Sequence, residues 1–151
     1  MFKKKIIAAI VMTATIATSL FATSGEKAEA EYYHTKAITV AKANLGVPYR
    51  WGGITPSGFD CSGLVKYSFG KAGVTLPRTA SDMFYSKGYR VSSLQVGDLM
   101  FFAPTKASKP THVAIYIGSG KMIMASSSKG VIITYTSNTY WKPRYVGAKR
   151  I

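Results

Sequence analysis

The sequence contains very little cysteine and histidine, and this excludes several kinds of site. Cysteine occurs once in 151 residues, at Cys61, and the two histidines, His34 and His112, are far apart. A single thiol cannot form an intramolecular disulfide, and one cysteine with two scattered histidines makes a poor zinc site. We therefore expect no metal and no organic cofactor, and chemistry becomes the leading explanation for Cys61. His34 has no patterned context, and we expect it to be exposed to solvent.

Acidic residues are also scarce. The chain has 6 Asp and Glu residues and 20 Lys and Arg residues, which gives a formal net charge of +14. Outside a cell, such a surface is attracted to anionic wall polymers or anionic membrane. The basic residues are scattered along the chain and no nucleic-acid-binding motif accompanies them, so we expect no nucleic acid partner. The alternative is that the charge only keeps a small exported protein soluble.

No apolar run is long enough to predict a membrane span. The longest, from Ile6 to about Phe21, is about sixteen residues and follows the basic run Lys3 to Lys5. With the small-residue site Ala28-Glu29-Ala30, these features predict a signal peptide over 1–30. No cysteine near that site can carry a lipid anchor, so we expect no stable membrane anchor, and an uncleaved N-terminal anchor is the alternative.

The mature chain, 31–151, is then a single domain secreted to the extracellular space or the cell wall. It keeps 16 basic and 4 acidic residues, a net charge of about +12. No internal repeat or second module is visible, and we expect a monomer.

Hydrophobic periodicity in the mature chain changes from helical to alternating. This order predicts an α+β fold in which N-terminal helices pack on one side of an antiparallel β-sheet. Asp60 is expected to cap the second helix, and Gly73 to end it. The loop Gly118-Ser119-Gly120 is expected to join two strands as a hairpin. The predicted helices span 35–45, 61–72 and 80–87, and the predicted strands 99–102, 112–117, 122–125, 131–135 and 144–151.

Cys61 is expected in the first turn of the second helix. The helix dipole and free N–H groups there favour a thiolate and lower the thiol pKa, whereas the charge of Asp60 opposes ionisation. His112 opens an apolar strand 51 residues later. There it is a candidate general base for the thiol and general acid for a leaving amine. On these residues alone, a buried structural cysteine is an equally good interpretation.

Six short motifs follow one another along the chain: Leu45 to Gly53, Phe59 to Val65, Leu76 to Ala80, Val96 to Leu99, His112 to Gly118, and Arg144 to Arg150. Together they resemble, in the same order, the motifs of the NlpC/P60 family of papain-like cysteine peptidases that cut bacterial peptidoglycan. The resemblance covers nearly the whole mature chain. It implies the papain-like NlpC/P60 version of the α+β fold.

The resemblance also implies an activity, hydrolysis of the bond between γ-D-glutamyl and the diamino acid in peptidoglycan stem peptides. Cys61 would be the nucleophile and His112 the base, with the backbone N–H of Cys61 helping to hold the oxyanion. The positions that hold the stem peptide in the family correspond here to Tyr49, Asp60, Ser62 and Arg78. Each also has a plain structural interpretation: a core aromatic, a helix cap, a small first-turn residue and a surface charge, respectively.

One catalytic position departs from the family pattern. A third polar residue usually orients the base, and the matching position here is Met124, whose thioether accepts hydrogen bonds only weakly. If the hairpin loop has three residues, Ser126 faces His112 and can substitute; with a two-residue loop the register moves by one. The alternatives are an active enzyme, one of reduced activity, and a silent module that binds peptidoglycan or teichoic acid. A toxin or acyl-transferring relative on the same fold is a further alternative.

Overall fold

The computed structural model describes residues 15–105 and 108–151. The basic start of the predicted signal peptide and the first part of its apolar run lie outside these residues. These ranges contain three α-helices, α1 (Thr15–Ala43), α2 (Cys61–Lys71) and α3 (Ala80–Ser86), with a 3₁₀ turn at Lys142–Arg144. None of the helices in the described ranges combines the length and apolar character that crossing a membrane requires.

Helix α1 is much longer than the helix predicted over 35–45. It begins at Thr15, passes without a break through Ala28-Glu29-Ala30 and ends at Ala43. The predictions for α2 and α3 are confirmed, because Asp60 and Thr79 cap their N-termini and Gly73 follows the end of α2 with a positive φ of 91°.

The described residues also form eight strands: β1 (Ile54–Thr55), β2 (Gly58–Phe59), β3 (Tyr89–Val91), β4 (Leu99–Phe102), β5 (His112–Gly118), β6 (Lys121–Ser126), β7 (Gly130–Tyr135) and β8 (Tyr145–Arg150). Six of them form one antiparallel sheet in the order β3-β8-β4-β5-β6-β7. The first two, β1 and β2, form a small separate hairpin, and these two and β3 were not predicted. The larger sheet confirms the expected α+β class.

The two faces of the sheet pack differently. Side chains on one face, such as Phe101 and Ile115, are buried against Leu64 and Phe69 of α2 in the main core. The other face carries a smaller apolar cluster that is covered by Trp141 and Tyr145; its buried members are Met100, Phe102, Ala114, Met122 and Met124. The helices therefore lie on one side of the sheet, as expected.

His34 is buried, and the expectation that it is exposed was wrong. Its Nε2 lies 3.2 Å from the carbonyl oxygen of Ile151, and only 7% of the residue is exposed. Burial lowers the pKa of its imidazole. His34 lies on the same stripe of α1 as the buried Ala37, Ile38 and Ala41, a helical spacing that indicates its burial.

The β5–β6 hairpin combines a two-residue loop with a β-bulge. Gly118 pairs with Lys121, so only Ser119 and Gly120 form the loop, both with positive φ. Of the two loop lengths considered from the sequence, the structure has the two-residue one. A register shift between Tyr116 and Gly118 nevertheless restores the expected alignment, with Ile115 opposite Ile123. The paired residues end at Ile115 and Ile123; continued toward the start of β5, the same register would set Met124 opposite Ala114 and Ser126 opposite His112.

Candidate active site

Cys61 is fixed at the first residue of α2 by a tight junction between helix and loop. The Asp60 carboxylate caps the helix by accepting from the Gly63 N–H at 2.7 Å, and the Asp60 N–H donates to the Gly53 carbonyl at 3.1 Å. A Cβ on Gly63 would overlap that carbonyl, and one on Gly53 would overlap the carbonyl of Gly58. Glycine at these positions therefore lets the loop approach the helix N-terminus and set the place of the thiol.

The Cys61 thiol is buried, with 8% of the residue exposed, and donates to the Thr111 carbonyl oxygen at 3.6 Å. Burial raises the pKa of the thiol, and the Asp60 charge raises it further. The Val113 N–H and the N–H groups of the first helical turn act in the opposite direction and are outweighed. The helix N-terminus thus lowers the thiol pKa as expected, but the net shift is upward, because loss of hydration dominates.

His112 is held between aromatic rings at the start of β5. Its imidazole is stacked on the Trp141 indole, with ring centroids 4.1 Å apart and an interplanar angle of 19°. The centroid of the Phe102 ring lies 5.8 Å from that of the imidazole. The Nε2 atom is buried and has no hydrogen-bond partner among the described residues. Burial lowers the pKa of His112 to about 4, so the ring is neutral at pH 7.

Cys61 and His112 line one cavity of about 310 Å³, and Tyr49 lines it with them. The structure thus brings together three residues that the sequence singled out. Among the described residues no hydrogen bond joins the thiol to the imidazole, since the thiol donates to Thr111 instead. The same residues contain no cluster of three or more His, Cys, Asp or Glu side chains that would suit a metal ion.

Neither candidate for the third position makes a hydrogen bond to His112. Met124 is fully buried in the apolar cluster with Phe102 and Trp141. The hydroxyl of Ser126 lies 3.3 Å from that of Ser128. The structure therefore offers no polar side chain of β6 that fixes the tautomer of the base.

Asp60, Ser62 and Arg78 form a polar cluster at the N-terminus of α2. Arg78 donates to both Asp60 oxygens, at 2.6 and 3.1 Å, and to the Ser62 hydroxyl at 2.9 Å. The Gly52 N–H also donates to Asp60, at 3.2 Å. The interaction with Asp60 raises the pKa of Arg78. Arg78 is therefore more than a surface charge, and Asp60 is already paired before any ligand binds.

The sequence interpretation missed the wall of the cavity that lies on the His112 side. This wall is built by the segment before β8, where the Asn138 side chain accepts from the N–H groups of Tyr140, at 2.9 Å, and Trp141, at 3.2 Å. The adjacent aromatic pair was visible in the sequence, but no periodicity places a loop against a distant strand. The cavity residues missed are Phe102, Ala103, Pro104, Thr111, Ala125, Ser127, Tyr140, Trp141 and Arg144.

Two proteins of known sequence that resemble this chain are both named as hydrolases. A probable peptidoglycan endopeptidase of Bacillus subtilis, LytE, is 47% identical over 116 residues, which are 77% of this chain and 34% of LytE. A γ-DL-glutamyl hydrolase of the same organism is 42% identical over 134 residues, 85% of this chain and 32% of that protein. The chain thus spans about a third of the length of these two curated relatives.

Solved structures agree with the sequence relatives. An NlpC/P60 family protein from Bacillus cereus matches with a TM-score of 0.73 and 36% identity, over 78% of this chain and 39% of that one. The peptidoglycan hydrolase RipB from Mycobacterium tuberculosis matches with a TM-score of 0.68 and 34% identity, over 82% and 67% of the two chains. The model of the NlpC/P60 family itself matches residues 46–150. The chain therefore belongs to the NlpC/P60 family.

Proposed function

We propose that this protein is a secreted cysteine endopeptidase that hydrolyses the γ-D-glutamyl–diamino acid bond of peptidoglycan stem peptides. The observation that carries the proposal is the meeting of Cys61 and His112 on one cavity, with the thiol at a helix N-terminus. The B. subtilis relatives named as a peptidoglycan endopeptidase and a γ-DL-glutamyl hydrolase support the substrate class.

Acylation starts from a neutral thiol and a neutral imidazole. The thiol turns from the Thr111 carbonyl to His112, which takes its proton as Sγ attacks the γ-carbonyl carbon of D-glutamate. The carbonyl π electrons move to oxygen, and the backbone N–H of Cys61 helps to stabilise this oxyanion. When the tetrahedral intermediate collapses, the C–N bond breaks and the imidazolium gives its proton to the departing amine of the diamino acid.

Deacylation repeats the sequence with water as the nucleophile. His112 takes a proton from water as the oxygen attacks the thioester carbon. The C–S bond then breaks, Sγ recovers the proton from the imidazolium, and the γ-carboxyl group of D-glutamate leaves as the acid, which loses its proton to solvent. The proton balance closes on His112 without a cofactor.

The polar cluster at the N-terminus of α2 is proposed to hold the acyl part of the stem peptide. Tyr49 lines the cavity beside Cys61, and Asp60 and Ser62 flank the cysteine in sequence. Asp60 would share its carboxylate between Arg78 and the free amino group of L-alanine. Arg78 then serves to hold Asp60 and Ser62 in place while the ammonium binds.

Digestion of purified peptidoglycan followed by mass spectrometry tests the activity. We expect fragments cut between D-glutamate and the diamino acid, and their loss in Cys61→Ser and His112→Gln. The matched control is His34→Gln, which changes the other histidine, outside the cavity, and should retain cleavage. A folded wild-type protein that releases no such fragments would refute the endopeptidase.

A second candidate is a binding module with impaired or absent catalysis. The buried, unpartnered Nε2 of His112 and the raised pKa of the thiol favour it. This module would pull down with peptidoglycan or teichoic acid without releasing fragments, and Cys61→Ser would bind as well as the wild type.

The N-terminal segment supports export of the protein, and its positive charge supports binding to anionic wall polymers. We propose cleavage after Ala30, so that the mature protein begins at Glu31 and works as a monomer in the wall. Its charge of about +12 attracts it to anionic wall polymers. N-terminal sequencing of the exported protein tests the cleavage site, and light scattering of the purified protein tests the monomer.

A further inference from the structure

We propose that Trp141 is a positioning residue for His112, and that ring stacking replaces the hydrogen bond usually supplied by a third polar side chain. The proposal rests on the proposed function, because positioning of His112 matters only if it acts as the base. Three observations on the described residues carry it: the stacked geometry, the lack of a polar partner, and the rigid support of the indole.

The stack fixes the plane of the imidazole. At a centroid separation of 4.1 Å and an angle of 19°, the two rings are in face-to-face contact. Phe102 packs against both, at 5.8 Å from His112 and 5.2 Å from Trp141. Tilting the base out of its plane would therefore break contacts on two aromatic surfaces.

No polar group on β6 competes for this role. Met124 is buried beside the aromatic rings and Ser126 is paired with Ser128. The buried Nε2 of His112 has no partner in the part of the chain that the structure describes. Orientation must then come from packing, because hydrogen bonding supplies none there.

Trp141 is itself held firmly. The backbone N–H of Trp141 donates to the Asn138 side-chain oxygen at 3.2 Å, and the backbone carbonyl of Trp141 accepts from the backbone N–H of Arg144 at 2.9 Å. Tyr140 packs edge-on against the indole at 4.8 Å. A ring anchored by backbone at both sides can position a neighbour with little loss of entropy.

A double-mutant cycle on turnover of a stem peptide tests this role. In the wild type, Trp141→Leu should lower kcat by about tenfold to a hundredfold with little change in KM, since misplaced groups slow chemistry rather than binding. In a Met124→His background, where a hydrogen bond can orient His112, the same change should cost clearly less. Trp141→Phe should keep most of the activity, because it can still stack.

The pH profile separates positioning from a general loss of structure. Trp141→Leu exposes the imidazole, so the acid limb of kcat/KM should move up from about pH 4 toward pH 6.5. Trp51→Leu, at the exposed other tryptophan, should leave that limb unchanged. If Met124→His does not fold, Met124→Gln takes its place in the cycle.

Equal losses in both backgrounds with an unmoved acid limb would overturn the positioning role. So would an unchanged kcat in Trp141→Leu. Absence of turnover in the wild type would instead refute the proposed function, so the two failures are distinct.

A different observation concerns Arg144, a basic residue that also lines the cavity. Arg144 lines the cavity with Cys61, and its guanidinium lies 3.8 Å from the centroid of the Tyr140 ring. One guanidinium nitrogen donates to the Tyr140 carbonyl at 2.6 Å. No carboxylate lies within ion-pair distance of Arg144 among the described residues, and no acidic side chain lines the cavity.

We infer that Arg144 binds a carboxylate on the leaving side of the scissile bond. This also rests on the proposed function: His112 protonates the leaving amine, and Arg144 stands three residues after the tryptophan that stacks on His112. Two contacts with Tyr140 hold the guanidinium, and its remaining N–H groups suit a carboxylate. The ligand class is a diamino acid, or a short extension of it, that carries a free carboxylate.

Two synthetic stem peptides that differ only at this group test the inference, one ending in a free carboxylate and one in a carboxamide. Arg144→Gln should raise KM for the carboxylate by about tenfold and change the carboxamide little. Lys142→Gln, an exposed basic neighbour, is the matched control and should change neither. Equal effects of Arg144→Gln on both peptides, or none on either, would overturn the inference.

Discussion

At the scale of single residues, burial decides the chemistry of the candidate pair. It raises the pKa of the Cys61 thiol and lowers that of the His112 imidazole to about 4, so both are neutral at pH 7. The helix N-terminus favours a thiolate, but its effect is smaller than the cost of taking a charge out of water. The resting protein thus differs from a preformed thiolate–imidazolium pair.

The reactivity of Cys61 toward an alkylating reagent follows from this. We expect iodoacetamide to react more slowly at pH 7 than with a free cysteine, and the rate to level off at a higher pH than for a free cysteine, because the thiolate is the reacting species. The rate of mass increase measures it, with a cysteine peptide as reference. Rapid alkylation below pH 7 would show that an ion pair already exists.

The acid limb of catalysis follows from His112. The base must be neutral to accept the thiol proton, and a lowered pKa keeps it neutral down to about pH 4. We expect kcat/KM to fall only below about pH 4, not near the ordinary value of about 6.5. An acid limb at pH 6 to 7 would contradict the burial of the imidazole in solution.

Met124→His should raise activity, because it puts a hydrogen-bonding side chain at the position that matches the family's third catalytic residue, where it can fix the tautomer of His112. We expect kcat to rise about tenfold, well short of the effect of losing nucleophile or base. The buried polar group should cost roughly 1 to 3 kcal/mol of unfolding free energy. An unchanged kcat in a folded variant would show that packing already orients the base fully.

At the scale of elements, the N-terminus of α2 depends on glycine where the loop crosses it. Gly63 leaves no room for a Cβ beside the Gly53 carbonyl, whereas Gly70, in the same helix, has nothing within 4 Å. We therefore expect alanine at these two positions to change the free energy of unfolding in opposite directions.

Gly63→Ala should destabilise the protein by about 2 kcal/mol or more and lower activity, because the loop and the Asp60 cap must move. Gly70→Ala should stabilise it by up to about 1 kcal/mol, since alanine is the better helix former. Urea unfolding of both variants measures this. Equal effects at the two positions would contradict the close approach at the thiol.

Periodicity and capping residues were enough to predict the elements that carry Cys61 and His112. Asp60 and Gly73 bounded α2, and alternation identified β5. The segment with Tyr140 and Trp141 was not predicted as part of the site, because its place depends on contacts between distant residues. The bulge in the β5–β6 hairpin was not predicted either, since the number of loop residues does not reveal an extra residue inserted in a strand.

At the scale of the whole molecule, 20 basic residues against 6 acidic ones leave a strongly positive surface. The acidic side chains of Asp60 and Asp98 are paired with Arg78 and Arg150. Much of the positive charge therefore remains uncompensated and acts at long range.

Binding to cell walls should weaken steeply with salt. We expect the amount of protein retained on isolated walls to fall severalfold between low salt and about 0.5 M, where the screening length shrinks below about 5 Å. Walls stripped of anionic polymers should retain less protein even at low salt. Retention that is independent of salt would show that the groove, not the charge, dominates wall binding.

The most direct measurement of the central claim is cleavage of a defined peptide pair, L-Ala-γ-D-Glu-diamino acid and its α-linked isomer, followed by mass spectrometry. Both meso-diaminopimelate and L-lysine would be supplied as the diamino acid, and Cys61→Ser would run beside the wild type. The account predicts hydrolysis of the γ-linked peptide alone, at the glutamyl bond, with the activity lost in Cys61→Ser. Hydrolysis that persists in Cys61→Ser, or none by folded wild-type protein, would contradict it.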